Sequence, residues 1–369
     1  MVLWFRRPSV SICGRQGDSV ERPARLRVLI TFALDDDLVR QIEAVDPRID
    51  VRVLGQQARQ LFRGLRYPSE LEARTARREL QEAMAEAEVL FGFWGPALVE
   101  LYPDPGTLRR AAPHLRWVQL TSAGVDRAAR SGLLESDLLL TNASGLHATP
   151  IGEYVLLQML MFCKGASRFI RAQDRREWVR YMPQELYGKT VGIVGLGHIG
   201  REVARLAKAF GCRIVATRRS ATEGSRDGDV DELLPPPELP RLLGESDFVV
   251  LAVPLTAETR HLIGEAELRA MKPAGVLINI ARGTVVDEAA LVRALKEDWI
   301  AGAGLDVFEQ EPLPPESELW SLENAVISPH ISGGTEIYNQ RATAIFCENL
   351  RRYLAGEPLL NQADPARGY

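Results

Sequence analysis

Several residue types that mark protein classes are scarce in this chain, and each scarcity excludes something. The four cysteines (Cys13, Cys163, Cys212, Cys347) form no C-x-x-C pair. Neither a disulfide framework nor a metal site is therefore expected, and scattered thiols fit a reduced, cytoplasmic protein. No apolar run approaches the roughly 20 residues that a membrane-spanning helix needs. A net charge of -4 offers nucleic acid or an anionic membrane no electrostatic attraction, so neither is an expected partner. Lysine is rare: all but five of the 45 basic residues are arginine. One exposed arginine is thus a weak functional pointer. The apolar start Met1 to Phe5 is cut short by Arg6-Arg7-Pro8 with no small-residue cleavage site after it, so an export signal is not expected. Asp18 and Glu21 argue against a transit peptide, and residues 1–24 are expected to form a loose extension.

What the chain does have is the balance of a globular protein, 46% hydrophobic and 25% charged over 369 residues, a length that suggests two domains. Strand-like runs alternate with amphipathic helices, the pattern of an α/β protein with parallel sheets. Strands are expected at Leu26 to Thr31, Val51 to Leu54, Val89 to Phe93 and Trp117 to Leu120, with a helix over Glu70 to Ala87. The segment Ile151 to Phe162 is apolar nearly all round and predicts a buried helix. A second series of strands follows at Thr190 to Val194, Arg213 to Thr217, Phe248 to Val253, Val276 to Ile280, Gly302 to Leu305 and Val326 to Ile327. Pro235-Pro236-Pro237 reads as a surface connection. A last helix, about Tyr338 to Leu354, is expected to pack back on the first block, which makes that domain discontinuous and leaves a cleft between the two.

Gly195-Leu196-Gly197-His198-Ile199-Gly200 is a G-x-G-x-x-G between a β-like run and an amphipathic helix, the context that dinucleotide binding requires. Gly195 permits the tight turn, Gly197 lets the backbone approach a pyrophosphate, and Gly200 allows close helix–strand packing. The helix N-terminus faces the phosphate charge. At the end of the next strand an acid would bind the ribose 2′-hydroxyl of NAD. Thr217-Arg218-Arg219-Ser220 stands there instead, with no acid before Glu223. Guanidinium groups and a hydroxyl suit a 2′-phosphate, so NADP is preferred over NAD.

Of the five histidines, His114 and His261 are expected at the surface, and His198 sits in the glycine loop. His147 precedes the buried helix near the cleft, where ligand contact stays open. His330 follows a strand, in Ser328-Pro329-His330-Ile331-Ser332-Gly333-Gly334. Strand ends of an open α/β sheet are where ligands bind.

Four ordered blocks carry a resemblance from about Leu26 onwards. They are Gly188 to Val194 running into the glycine loop, Asn279-Ile280-Ala281-Arg282-Gly283-Thr284-Val285-Val286-Asp287-Glu288, Gly304-Leu305-Asp306-Val307-Phe308-Glu309-Gln310-Glu311-Pro312, and Ser328-Pro329-His330. The chain resembles the D-isomer-specific 2-hydroxyacid dehydrogenases, a family that includes glyoxylate/hydroxypyruvate and phosphoglycerate enzymes. The resemblance implies a catalytic arginine at Arg282, a carboxylate at Glu311 and an acid–base histidine at His330. It also places Asp306 near the nicotinamide carboxamide, Val253-Pro254 on the adenosine side, and Ile280, Ala281 and Gly333 beside the cofactor. Ser122-Ala123-Gly124-Val125-Asp126 matches the family's substrate-carboxylate turn, with the amides of Ala123 and Gly124 facing an anion; the residues alone also allow an ordinary turn capped by Ser122. Trp94 falls where the family lines its substrate pocket, although most aromatics are core.

The fold expected is α/β with two doubly wound parallel-sheet domains: a Rossmann NAD(P)-binding domain over 147–330, inserted in a flavodoxin-like substrate domain of 25–146 and 331–369. The chemistry expected is reversible hydride transfer between NAD(P)H and a small 2-oxo acid such as glyoxylate or hydroxypyruvate. Histidine supplies a proton near neutral pH, a carboxylate favours its charged form and orients it, and arginine clamps the substrate carboxylate while polarising the ketone. Glu309 is expected to be solvated. No basic cluster can be assigned to a substrate phosphate, and phosphoglycerate is not favoured. A homodimer through the segment Arg168 to Tyr187 is implied by the resemblance. The alternative is a dinucleotide-binding, corepressor-like or redox-sensing protein without turnover.

Overall fold

Two series of short apolar strands pair into two separate, wholly parallel sheets. The structure is a computed structural model that describes residues 25–56, 58–59, 69–222 and 224–365; the expected extension 1–24, Cys13 and Glu223 lie outside the described residues. Strands β1 (Leu26–Ile30), β2 (Ile49–Val53), β3 (Val89–Gly92), β4 (Trp117–Leu120) and β5 (Leu139–Thr141) form the first sheet in the order β2-β1-β3-β4-β5. That is the flavodoxin-like order. The second sheet contains β6 (Thr190–Val194), β7 (Arg213–Thr217), β8 (Glu232–Leu234), β9 (Phe248–Leu251), β10 (Val276–Asn279), β11 (Gly302–Leu305) and β12 (Ala325–Ile327), in the order β12-β11-β10-β9-β6-β7-β8. Its direction of winding reverses between β6 and β9, where a doubly wound sheet opens a crevice. The edge strands β5 and β8 are missing from the sequence reading. Each has three residues, Leu-Leu-Thr and Glu-Leu-Leu, too few to show a period.

Strands β3, β4, β9, β10 and β11 are buried at every residue, because helices cover both faces of a parallel sheet. Alternation then divides each strand between two cores. Phe248 and Val250 face one side of the second sheet, whereas Val249 and Leu251 face the other. The helix Ala148–Lys164 lays Ile151, Val155, Met159 and Cys163 on Val203, Ala204 and Ala207 of the helix His198–Ala209. The sequence predicts that helix buried on all sides, yet Leu157 is 52% exposed. Its apolar surplus finds no cover among the described residues.

The final helix, Tyr338–Ala355, returns to the first sheet. Phe346 stacks on Phe91 with ring centroids 4.1 Å apart, and Ala342, Cys347 and Leu350 join Val28, Ile30 and Trp117 in one core. Burial of Phe346 alone is worth about 2–3 kcal/mol. Asn349, fully buried beside it, donates to Gln119 Oε1 at 2.8 Å and accepts from the Leu360 amide at 2.7 Å, so the polar group is satisfied. No described helix is long and apolar enough to cross a membrane.

Candidate active site

Strand register brings the chemically distinctive segments together. Asn279 of β10 pairs with Leu305 of β11 and with Leu251 of β9, and Leu305 pairs with Ile327 of β12. The segments leading to Arg282, to Asp306 and Glu311, and to His330 therefore leave the sheet side by side from the same edge. A cavity of about 380 Å³ is walled by Arg282, Glu311 and His330 from the second sheet and by Phe93, Trp94, Ser122, Gly124 and Asp126 from the first.

His330 Nδ1 lies 2.8 Å from Glu311 Oε2. Glu311 Oε1 accepts from the Phe308 amide at 3.1 Å, which pins the carboxylate. Burial works to raise the Glu311 pKa, but the bond to His330 and its charge, with the Phe308 amide and Arg282, outweigh it and hold the group below the ordinary carboxylate value. An ionised Glu311 only accepts, so Nδ1 donates and Nε2 is the nitrogen left for substrate. His330 itself has φ 54, left-handed for a residue with a side chain. The fold holds it there: its amide donates to the Asp306 carbonyl at 2.9 Å.

Asp306 also anchors this segment through its side chain. It is completely buried; Oδ1 accepts from the Ile331 amide (2.8 Å) and the Ser328 hydroxyl, and Oδ2 accepts from the Ser332 amide (2.9 Å). It lines neither cavity. Its bonds hold the His330 segment. Tyr154 extends the network, its hydroxyl bonded to Ser328 and to Gln158.

Arg282 reaches across the cleft to the first sheet. Its Nε and Nη2 donate to Asp126 Oδ2 at 3.1 and 3.0 Å, and Nη1 donates to the Ala281 carbonyl at 2.7 Å. A Cβ at Gly124 would stand 1.9 Å from Arg282 Nη2, so a side chain there would displace the guanidinium from its present place. The amides of Ala123 and Gly124 have no acceptor among the described residues. Ser122 does not cap the following helix: its hydroxyl donates to the Gly124 carbonyl at 2.9 Å. Trp94 is 2% exposed and donates through Nε1 to Ser131 Oγ at 3.1 Å, so it is at once core and cavity wall.

A second cavity, about 490 Å³, shares Gly124, Asp126, Leu255 and Arg282 with the first. Gly197, His198, Ile199, Val253, Pro254, Ile280, Ala281 and His147 line it. Gly195 turns the chain at φ +103, and a Cβ there would come 2.7 Å from the Ala252 carbonyl oxygen. At Gly197 a Cβ would meet nothing within 4 Å, so the backbone faces open space at the N-terminus of a 12-residue helix. At Gly200 a Cβ would lie 2.3 Å from the Gly195 carbonyl oxygen. These placements fit a dinucleotide whose pyrophosphate approaches Gly197. The carbonyl of Thr217, buried at the end of β7, accepts from the amides of Gly195 and Leu196. Arg219 and Ser220 are exposed beyond it, while Arg218 Nη1 is 2.6 Å from Asp227, which also holds Arg201. Sequence reading missed Asp227, which lies ten residues past the strand end.

His147, left open by the sequence, stands in the second cavity. Its ring meets Tyr338 edge-on at 5.4 Å and fills the space beside Gly333, where a Cβ would be 2.7 Å from His147 Cδ2. Burial, then the charges of Arg282 and His330, push its pKa down to about 4. Glu309 is exposed, in keeping with the solvated side chain expected; its Oε1 is 2.9 Å from His261 Nε2, and its amide donates to Glu288 at 3.0 Å.

Residues 156–332 match the sequence family described as D-isomer specific 2-hydroxyacid dehydrogenase, NAD binding domain. The glyoxylate reductase of Korarchaeum cryptofilum is 40% identical over 269 residues, covering 71% of this chain and 80% of that protein. The chain belongs to the D-isomer specific 2-hydroxyacid dehydrogenases. This 2-hydroxyacid dehydrogenase is an NAD(P)-dependent oxidoreductase. Pyrococcus furiosus glyoxylate reductase is 42% identical over 262 residues, 67% of this dehydrogenase and 75% of that enzyme. Among solved structures, a D-isomer specific 2-hydroxyacid dehydrogenase from Xanthobacter autotrophicus Py2, in complex with NADPH and MES, is 29% identical with a TM-score of 0.74, covering 94% of this chain and 100% of that one. An NADPH-dependent glyoxylate/hydroxypyruvate reductase from Sinorhizobium meliloti, in complex with NADP and sulfate, gives 25% identity and a TM-score of 0.74 over the same shares.

Proposed function

We propose that this dehydrogenase reduces a small 2-oxo acid of the glyoxylate or hydroxypyruvate kind, preferring NADP over NAD, and that Arg282, Glu311 and His330 are its reacting residues. The observation that carries the reading is the meeting of two cavities at Arg282, one holding the glycine loop and the other the His330–Glu311 pair. NAD(P)H, when bound, supplies the hydride. Charged His330 gives the Nε2 proton to the ketone oxygen and is left neutral, with Nδ1–H still on Glu311. Arg282 takes the substrate carboxylate by exchanging it for Asp126, so the swap itself adds little affinity. The free amides of Ala123 and Gly124 supply further hydrogen bonds to the carboxylate. Residues 147–330 act as the cofactor unit and residues 25–146 with 331–369 as the substrate unit, in a cytoplasmic homodimer.

NADP preference draws support from Arg219 and Ser220, exposed at the strand end beside the Arg218–Asp227 pair, and from the NADP and NADPH held by the Sinorhizobium and Xanthobacter structures. The alternative, a dinucleotide-binding, corepressor-like or redox-sensing protein without turnover, is disfavoured, since the relatives above are named as reductases.

A panel of 2-oxo acids run with both cofactors tests this. His330→Ala should lose at least about 100-fold in kcat while an NADPH fluorescence titration stays unchanged; near-normal turnover refutes the role. Arg218→Asp should move the NADPH/NADH ratio towards NADH, and an unmoved ratio removes the cofactor assignment.

A further inference from the structure

The charges around the reacting groups are not evenly matched. Three carboxylates line the 380 Å³ cavity, and each is committed: Asp126 to Arg282, Glu311 to His330, and Glu309 to His261. Arg127 and Arg130 line it too, and neither has a carboxylate partner among the described residues. They stand three apart on the helix Asp126–Arg130, hence on one face. The Arg127 guanidinium sits 5.2 Å over the Phe93 ring, itself part of the wall. Several arginines on nearby helices of the same sheet do find carboxylates: Arg74, Arg77, Arg78 and Arg109 pair with Glu70, Glu100, Glu82 and Asp137, while Arg110 donates to the Thr107 hydroxyl. A helix C-terminus favours cations by about 0.3–1 kcal/mol, which explains why the pair sits on this helix but not why it faces this cavity. The cavity also has room for about a dozen waters at roughly 30 Å³ each, so a two-carbon oxo acid leaves most of it empty.

We propose that the cavity takes a 2-oxo acid whose far end carries a second anion, a carboxylate or a phosphate ester, held by Arg127 and Arg130. The inference rests on the reading of Arg282, Glu311 and His330 given above. Arg282 and the Ala123 and Gly124 amides take the carboxylate beside the ketone, and the two arginines take the far anion. Guanidinium forks match either oxyanion bidentately. Beside the apolar Trp94, Leu120 and Phe308 their attraction is screened less than at open surface. Two anchors at opposite ends also fix which carbon lies under His330.

The test compares kcat/KM, with NADPH, for substrates matched except at the far group: 2-oxobutanoate against 2-oxosuccinate, 2-oxopentanoate against 2-oxoglutarate, and hydroxypyruvate against its 3-phosphate. At least one dianion should exceed its match by about tenfold, mainly through KM, with the preference shrinking as salt rises. The winning pair tells carboxylate from phosphate. In the double variant Arg127→Gln/Arg130→Gln that ratio should fall close to one, and the single variant Arg130→Lys should keep part of it. Equal or poorer use of every dianion by the unmodified protein overturns the inference, as does a ratio that survives both arginine variants. Reduction of glyoxylate without any preference for a dianion sinks this inference alone. Failure to reduce any 2-oxo acid sinks the functional reading beneath it.

Discussion

His147 shows how one side chain can carry a pH dependence that no contact list would suggest. Its pKa is driven from the ordinary 6.5 to about 4, first by burial and then by Arg282 and His330. Between those two pH values the unfolded chain binds a proton that the folded protein refuses, so stability falls as pH drops through that window. The loss at pH 5 relative to pH 7 should be about 2 kcal/mol, and His147→Gln should remove most of it. Thermal unfolding at the two pH values checks this; an equal drop in the variant contradicts it. Carboxylates with lowered values act in the same sense, but further down the pH scale. Glu311 and Asp227 stabilise above their ordinary 4.5 and 3.8 and lose that contribution as pH falls below. At this scale the sequence is informative where a residue's type suggests its chemistry: Arg282, Glu311 and His330, the proposed reacting residues, stand out because proton transfer and carboxylate binding call for such groups. It was silent where the partner is remote. Asp126 lies 156 positions from Arg282, and nothing local to either announces the bond. Arg127 and Arg130 are invisible among so many arginines until the fold turns them to the cavity.

Elements set the distances at which these residues act. The loop after β6 works because three glycines meet three different demands, and Gly200 is the one that fixes the helix His198–Ala209 against the strand. A methyl at 200 would lie 2.3 Å from the Gly195 backbone oxygen, with no flexible side chain to yield. Gly200→Ala should therefore lift the helix and weaken NADPH binding by at least about tenfold, near 1.4 kcal/mol. A fluorescence titration gives the affinity directly, and an unchanged value would mean that the loop has slack. The strands β10, β11 and β12 contribute register: because Asn279, Leu305 and Ile327 align, the segments beyond them emerge together. Long strands with near-continuous apolar residues were readable from sequence. The three-residue edges β5 and β8 were not, since pairing with a neighbouring strand rather than any pattern of their own makes them strands.

For the whole molecule, the exposed apolar surface is concentrated where one stretch of chain leaves the helix Ala148–Lys164. Trp178 is 87% exposed, Met182 91% and Tyr187 76%, with Leu157 at 52% on the helix itself. Large rings and thioethers left in water across one region suit a second copy of the chain more than solvent. The dimer proposed above should dissociate in Trp178→Glu/Met182→Glu, read by light scattering on a sizing column. An unmodified protein that elutes as a monomer, or a variant that remains dimeric, removes this segment from the interface.

The alternation of strands and helices, the dinucleotide loop and the three residue types proposed to react are legible in the sequence alone. Each of these is a local pattern or a chemical identity, written in consecutive residues. The tertiary structure alone shows that Asp306 holds the His330 segment, that Asp126 and Asp227 occupy the guanidinium groups of Arg282 and Arg218, and that Arg127 and Arg130 wall the cavity. The physical reason is the same in each case. Who a charged or polar group bonds to depends on which groups the fold places within about 3 Å of it, and that proximity arises from the packing of elements distant in sequence, not from neighbours in the chain.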